Sequence, residues 1–155
     1  MCEVIVLFNG YSTKLDNEIM KANCSCTLIK ASKNIIVDTM TAWDREKIIQ
    51  GYKICPEVKV IATPGHTPDD VTVLVETTVS GKPTCFAITG DLFEKKEDIS
   101  DPSIWKELGT IELQKTQSLM RSHVVDLANL IIPGHGPMFA VTDDMRKIIR
   151  SQIIL

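Results

Sequence analysis

The chain is poor in histidine and has no excess of positive charge. Three histidines stand among 155 residues, and 17 lysines and arginines face 20 acidic residues, for a formal net charge of −3. A surface that holds nucleic acid by charge alone is usually basic, so electrostatics give that class no support. No apolar run approaches the ~20 residues that cross a bilayer, and no membrane partner is expected. The opening MCEVIVLFNGY has neither a basic start nor an apolar run long enough for a secretory leader. Five cysteines (Cys2, Cys24, Cys26, Cys55 and Cys85) are an odd number without such a leader, which suits reduced thiols in cytosol or nucleus. Cys24 and Cys26 would share one face of a strand, but two thiols do not complete a tetrahedral zinc site. The cysteines are therefore read as structural. Internal repeats and low-complexity stretches are also absent.

What is there suits a globular α/β chain, 44% hydrophobic and 24% charged, long enough for a real core. Val4–Phe8, Cys24–Lys30 and Asn34–Asp38 read as an N-terminal set of antiparallel strands, the first stopped by Asn9-Gly10. Thr41–Gln50 reads as a helix with Thr41 as its N-cap. GYKICPEVKVIATPGH then begins a new strand with almost no linker. Val58–Thr63, Val71–Val79 and Thr84–Thr89 read as strands, the middle one alternating clearly. Leu113, Met120, Val124, Leu127 and Leu130 suit the apolar face of a helix over Ile111–Leu130, which turns strand-like from Asn129 to Ile132. Thr142-Asp143-Asp144 caps a last helix with Met145, Ile148, Ile149 and Ile153 on one side. The reading is one domain over 1–155, in two parts, 1–50 and 51–155.

Three strand-like runs end alike: VIATPG before His66, FAITG before Asp91 and LIIPG before His135. Glycine lets the backbone turn sharply, so the next side chain can point inward from a strand end. Pro64 and Pro133 stiffen two of those turns and lower the entropy lost in holding the imidazoles. Neutral imidazole and carboxylate are ordinary ligands of Zn²⁺ and similar ions. His66, Asp91 and His135 are therefore the candidate metal ligands. His123 lies within the helical stretch SLMRSHVVDLANL and reads as a surface residue.

The order TPGH, GDLFE, PGHGP, together with Trp105, resembles the later part of the metallo-β-lactamase superfamily. The likeness runs from Cys24 to about Phe139 and is strongest from Ile54 onward. It implies an αββα sandwich with a two-zinc site on the sandwich edge. At matching positions it makes His66 a ligand of one zinc, Asp91 the bridging carboxylate and His135 a ligand of the other. It makes Asp38-Thr39 the strand end that supports the site from behind. It also implies zinc endoribonuclease activity on histone pre-mRNA 3′ ends, an RNA substrate, homodimers, and a place in cytosol and possibly nucleus. No catalytic side chain is assigned beyond the metal-bound water.

One departure outweighs these agreements. The family carries His-x-His-x-Asp-His ahead of the His66 strand, and this chain has no H-x-H at all. Gln50 runs into Gly51 where a strand, the motif and a helix belong, so the fold is expected to be truncated by an interior loss near 50/51. Structural zinc binding is worth ~10–16 kcal/mol over about four ligands, so each accounts for roughly 3–4 kcal/mol. Four of the family's seven ligands are missing, so at most one weakly held zinc and greatly reduced hydrolysis are expected. Two alternatives stand beside this impaired hydrolase. One is a thioester hydrolase of the glyoxalase II type, and the other is a non-catalytic isoform that dimerises with a full-length form and modulates it.

Overall fold

Alternation organises the larger sheet. The computed structural model describes residues 2–9, 11–14, 20–23, 25–32, 34–37 and 52–155. The strands are β1 (Glu3–Phe8), β2 (Tyr11–Lys14), β3 (Met20–Asn23), β4 (Cys26–Lys30), β5 (Asn34–Val37), β6 (Tyr52–Cys55), β7 (Val58–Ala62), β8 (Val71–Val79), β9 (Lys82–Gly90), β10 (Leu130–Pro133) and β11 (Phe139–Ala140). Three helices follow the larger hairpins: α1 (Ser103–Leu108), α2 (Gln114–Leu127) and α3 (Asp143–Ser151). Strands β6 to β11 form a six-stranded sheet in the order β11-β10-β9-β8-β7-β6, and β1, β4 and β5 form a three-stranded sheet in the order β1-β4-β5.

Residues two apart on β8, β9 and β10 face the same way, and the faces have different partners. Val73, Val75, Phe86, Ile88 and Ile132 join Cys2, Ile29 and Val37 of the smaller sheet in one core. Leu74, Ala87 and Ile131 join Val124 and Val125 of α2 and Ile149 of α3 in the other. The described residues thus show helices on a sheet that rests on a second sheet, the α+β layering that the resemblance implies. The expected helix over Thr41–Gln50 lies outside the described residues, as do Asp38, Thr39 and the junction at Gly51.

Several expectations match the described elements, among them β1, β5 and β8. The strand expected over Val58–Thr63 is β7, and the run that begins after Gly51 supplies β6, paired with it as an antiparallel hairpin turned at Pro56-Glu57. The hairpin β2–β3 and helix α1 had no periodic signal strong enough to show. Helix α2 ends at Leu127, and its buried side is not the apolar stripe expected. Gln117, Ser118, Arg121 and Ser122 are buried with Val124 and Val125, whereas Leu127 is 42% exposed. Beneath the helix lie the Leu92 carbonyl and the Asp98 carboxylate, which Arg121 satisfies and a leucine cannot. Thr142 does cap α3, its Oγ1 accepting the Met145 N–H at 3.2 Å. Ile149 is buried there, while Ile148 is exposed. Among the described residues, no helix is long and apolar enough to cross a membrane.

Strand direction decides where the strand ends meet. Strands β7 and β9 each run antiparallel to β8, so they point the same way, and β10 runs parallel to β9. All three therefore finish at one edge of the sheet, with His66, Asp91 and His135 in the loops that follow.

Candidate metal centre

Backbone hydrogen bonds fix each of those loops. The turn carrying His66 is closed by the Thr63 N–H to the Asp70 carbonyl at 2.8 Å and by the Gly65 N–H to the Thr67 carbonyl at 2.9 Å. The Asp70 carboxylate accepts both the Thr67 N–H, at 2.7 Å, and the Thr67 hydroxyl. Thr110 then donates twice to the His66 carbonyl, from its N–H at 3.2 Å and its hydroxyl at 2.8 Å. Gly65 sits so close to α2 that a Cβ there would lie 2.7 Å from Gln117 Cβ. Glycine is required by that close approach.

The Asp91 and His135 loops are joined to each other. Strands β9 and β10 end paired at Gly90 and Pro133, one residue out of the register that precedes them, and Gly90 turns the chain at φ +52°. The Gly134 N–H donates to the Gly90 and Phe93 carbonyls, both at 3.0 Å, and the His135 N–H to the Glu94 carbonyl at 2.8 Å. A Cβ on Gly134 would collide with Asp91 Oδ1. From the smaller sheet, the Ser25 hydroxyl donates to the Pro133 carbonyl at 2.8 Å.

These loops bring His66, Asp91 and His135 together. Asp91 spans both imidazoles, with Oδ1 3.3 Å from His135 Nε2 and Oδ2 3.8 Å from His66 Nε2. A fourth group, missed in the sequence, spans the same pair. Glu94 Oε1 is 3.3 Å from His66 Nδ1, and its Oε2 is 3.9 Å from His135 Nε2. Glu94 is in GDLFE, three residues after Asp91, where a tight turn returns a side chain to the same side. That spacing was the only available signal. His123 is exposed on α2. Cys2, Cys55 and Cys85 are free thiols, the first two buried between the sheets.

The charges respond to this proximity. The Glu94 carboxylate beside His66 raises the imidazole above its ordinary pKa, against burial, with Asp91 adding to the rise. Burial pushes Asp91 up, but the His135 contact and the fields of both imidazoles outweigh it and hold the carboxyl below its ordinary value. Burial raises Asp70, partly offset by the hydrogen bonds from Thr67.

The donors fit a divalent ion of zinc's kind. One donor atom each from His66, Asp91 and Glu94 lies within 4.8 Å of the others. His66 Nδ1 and Glu94 Oε1 face each other at 3.3 Å, and neither buried atom has a well-formed hydrogen bond. An ion held there supplies Lewis-acid polarisation of a carbonyl or phosphoryl oxygen and activation of water. The chain's own part is to present the imidazoles, keep Asp91 ionised and exclude solvent behind Glu94.

No family model matches the chain. It is 26% identical over 197 residues to metallo-β-lactamase domain-containing protein 1 of Xenopus laevis, covering 89% of this chain and 81% of that protein. To the human protein of the same name it is 36% identical over 93 residues, covering 59% of this chain and 32% of that protein. The chain thus spans most of the frog relative and about a third of the human one. A proposed metallo-β-lactamase of Thermotoga maritima superposes with TM-score 0.60 at 15% identity, over 90% of this chain and 99% of that one. The metallo-β-lactamase FIM-1 of Pseudomonas aeruginosa, in its mono-zinc form, gives 0.52 at 14% identity, over 94% and 91%. With three strand ends converging as described, these likenesses identify the chain as a metallo-β-lactamase-fold protein whose sequence relatives include metallo-β-lactamase domain-containing proteins.

Proposed function

We propose that this chain is a metal-dependent hydrolase of the metallo-β-lactamase type, working with one zinc ion per chain and far more slowly than relatives with a complete ligand set. The observation that carries the reading is the meeting of His66, Asp91 and His135 at 3.3–3.8 Å on one sheet edge. The FIM-1 structure is of a mono-zinc form, which supports single-ion occupancy of such a fold. By the sequence resemblance the substrate is RNA, cut at a phosphodiester, in cytosol or nucleus. The charge balance of −3 leaves recognition to the site itself rather than to a basic surface.

An interior loss accounts for the short ligand set. The alignment to the frog relative runs over 197 residues but takes in 89% of a 155-residue chain, about 138 residues. Roughly 60 of its positions therefore face no residue of this chain, a shortfall of the size that a missing segment such as the one read at Gln50–Gly51 would leave. The same shortfall favours a second reading, a non-catalytic form that pairs with an intact copy and lowers its activity.

Elemental analysis of the purified chain, with assays on single-stranded RNA and a thioester, tests both. Up to one zinc per chain and slow RNA cleavage abolished by His66→Ala support the hydrolase. Two zincs per chain overturn it. Thioester cleavage without RNA cleavage moves the substrate to the glyoxalase II type. No turnover, with reduced activity in a mixed dimer, supports the second reading.

A further inference from the structure

We propose that Glu94 is itself a metal ligand, taking a place that the missing motif leaves open and forming one donor group with His66 and Asp91. The inference rests on the single-ion reading above and adds a donor to it.

Three observations carry it. The first is aim. The Glu94 N–H donates to Asp98 Oδ2 at 2.8 Å and its carbonyl accepts the His135 N–H at 2.8 Å, so the backbone is held on both sides. Leu92 and Phe93, between Asp91 and Glu94, are fully buried, and their N–H groups bond back to Thr89 and Gly90. Both acids therefore project into the same cleft.

The second is an unmet need. The Glu94 side chain is 3% exposed, and its Oε1 has no well-formed hydrogen bond. A buried carboxylate without a donor is costly and is normally paired or bound to metal. Asp91 and Glu94 stand on the same two histidines, and a divalent cation bound among them would give both carboxylates a partner.

The third is spacing. His135 Nε2 lies 3.3 Å from Asp91 Oδ1 and 3.9 Å from Glu94 Oε2, whereas His66 turns Nε2 to Asp91 at 3.8 Å and Nδ1 to Glu94 at 3.3 Å. Charge-assisted hydrogen bonds close to about 2.7–2.9 Å. Donors bound tetrahedrally to an ion at ~2.0–2.2 Å stand about 3.3–3.6 Å apart. The contacts here are longer than charge-assisted hydrogen bonds, and one donor atom each from His66, Asp91 and Glu94 lies within 4.8 Å of the other two. Glu94 Oε1 stands 3.3 Å from His66 Nδ1, a charge contact without hydrogen-bond alignment, so the carboxylate is not locked onto that ring nitrogen.

Cobalt titration of the full chain tests this without reference to turnover. Wild type is expected to take up one Co²⁺ with a visible ligand-field band. Glu94→Gln, close to isosteric, is expected to bind ~10²–10³-fold more weakly and with an altered band, as for loss of one of about four ligands. Glu94→Asp, which keeps the charge but shortens the reach, is expected to shift the band and weaken binding as well, and stands in if the glutamine variant does not fold. An unchanged band in both variants overturns the proposal and makes Glu94 a support for His66, while the single-ion reading stands. No uptake by wild type, or uptake indifferent to His66→Ala and His135→Ala, overturns the single-ion reading itself.

Discussion

Two clusters of buried charge share the stretch from Asp91 to Asp98, and they differ in tightness. In the first, Arg121 reaches from α2 to Asp98, with Nη2 2.6 Å from Oδ1 and Nη1 3.1 Å from Oδ2. The same guanidinium donates to the Leu92 carbonyl at 2.7 Å and lies 4.1 Å from the Phe93 ring centre. Trp105, the tryptophan of the sequence motif, flanks it at 5.2 Å. Both partners are at most 1% exposed and both are satisfied. In the second cluster, two acids and two imidazoles stand 3.3–3.9 Å apart, with buried atoms lacking a well-formed hydrogen bond. A complete ion pair holds a loop in place, whereas an incomplete one awaits a ligand. The first cluster grips Leu92 and the Glu94 N–H, so the rigid pair positions the open one.

The largest disturbance comes from breaking the rigid cluster. Arg121→Met leaves Asp98 buried and unpaired, and breaking such a pair costs about 3–5 kcal/mol. Urea unfolding should show that loss, and zinc uptake should weaken with it. A loss below about 1 kcal/mol would show that the pair is not the clamp.

Gly134→Ala acts on the open cluster by sterics. The new methyl group meets Asp91 Oδ1, so the carboxylate must shift. Overpacking of this kind costs about 1–3 kcal/mol. Zinc affinity should fall further than stability does, since Asp91 is displaced from both imidazoles. Competition with a chelator, run beside the melt, separates the two effects.

The open cluster should also show in pH dependence. His66 has a raised pKa, so its contribution in the zinc-free protein is full below its ordinary value of 6.5 and is lost as pH climbs through the raised one. Asp91 has a lowered pKa, so its contribution is full above its ordinary value of 3.8 and is lost as pH falls through the lowered one. Chelator-treated protein should therefore melt highest between about pH 4 and 6.5. Zinc competes with protons for the imidazoles, so the loaded protein should gain stability as pH rises past that window. Melting curves from pH 4 to 9 with and without zinc would show whether the two profiles diverge in this way.

The smallest effect is expected at the third imidazole. His123 is exposed on α2, so His123→Ala should change stability by no more than about 0.5 kcal/mol and leave zinc uptake unaltered. A drop in uptake would bring a second site into the comparison.

Legibility followed the range of the interactions. The alternating strand Val71–Val79 and the cap at Thr142 were legible because period and capping are local. Val58–Ala62 is legible as a strand, but Tyr52–Cys55 has no bounds of its own in the sequence because Pro56-Glu57 is a weak turn signal. The face of α2 was misjudged for a longer-range reason: Arg121 and Gln117 are buried against groups that lie far off in sequence.

The residues alone determined that a glycine precedes His66, Asp91 and His135 at the ends of β-branched runs, and that no H-x-H precedes them. Chain connectivity and backbone sterics require nothing further for those statements. Only the folded chain decided that the three strands point the same way, because direction is set by pairing through β8. It likewise decided that Glu94 faces the histidines, because a side chain's aim depends on its backbone clamps, here Asp98 on one side and His135 on the other.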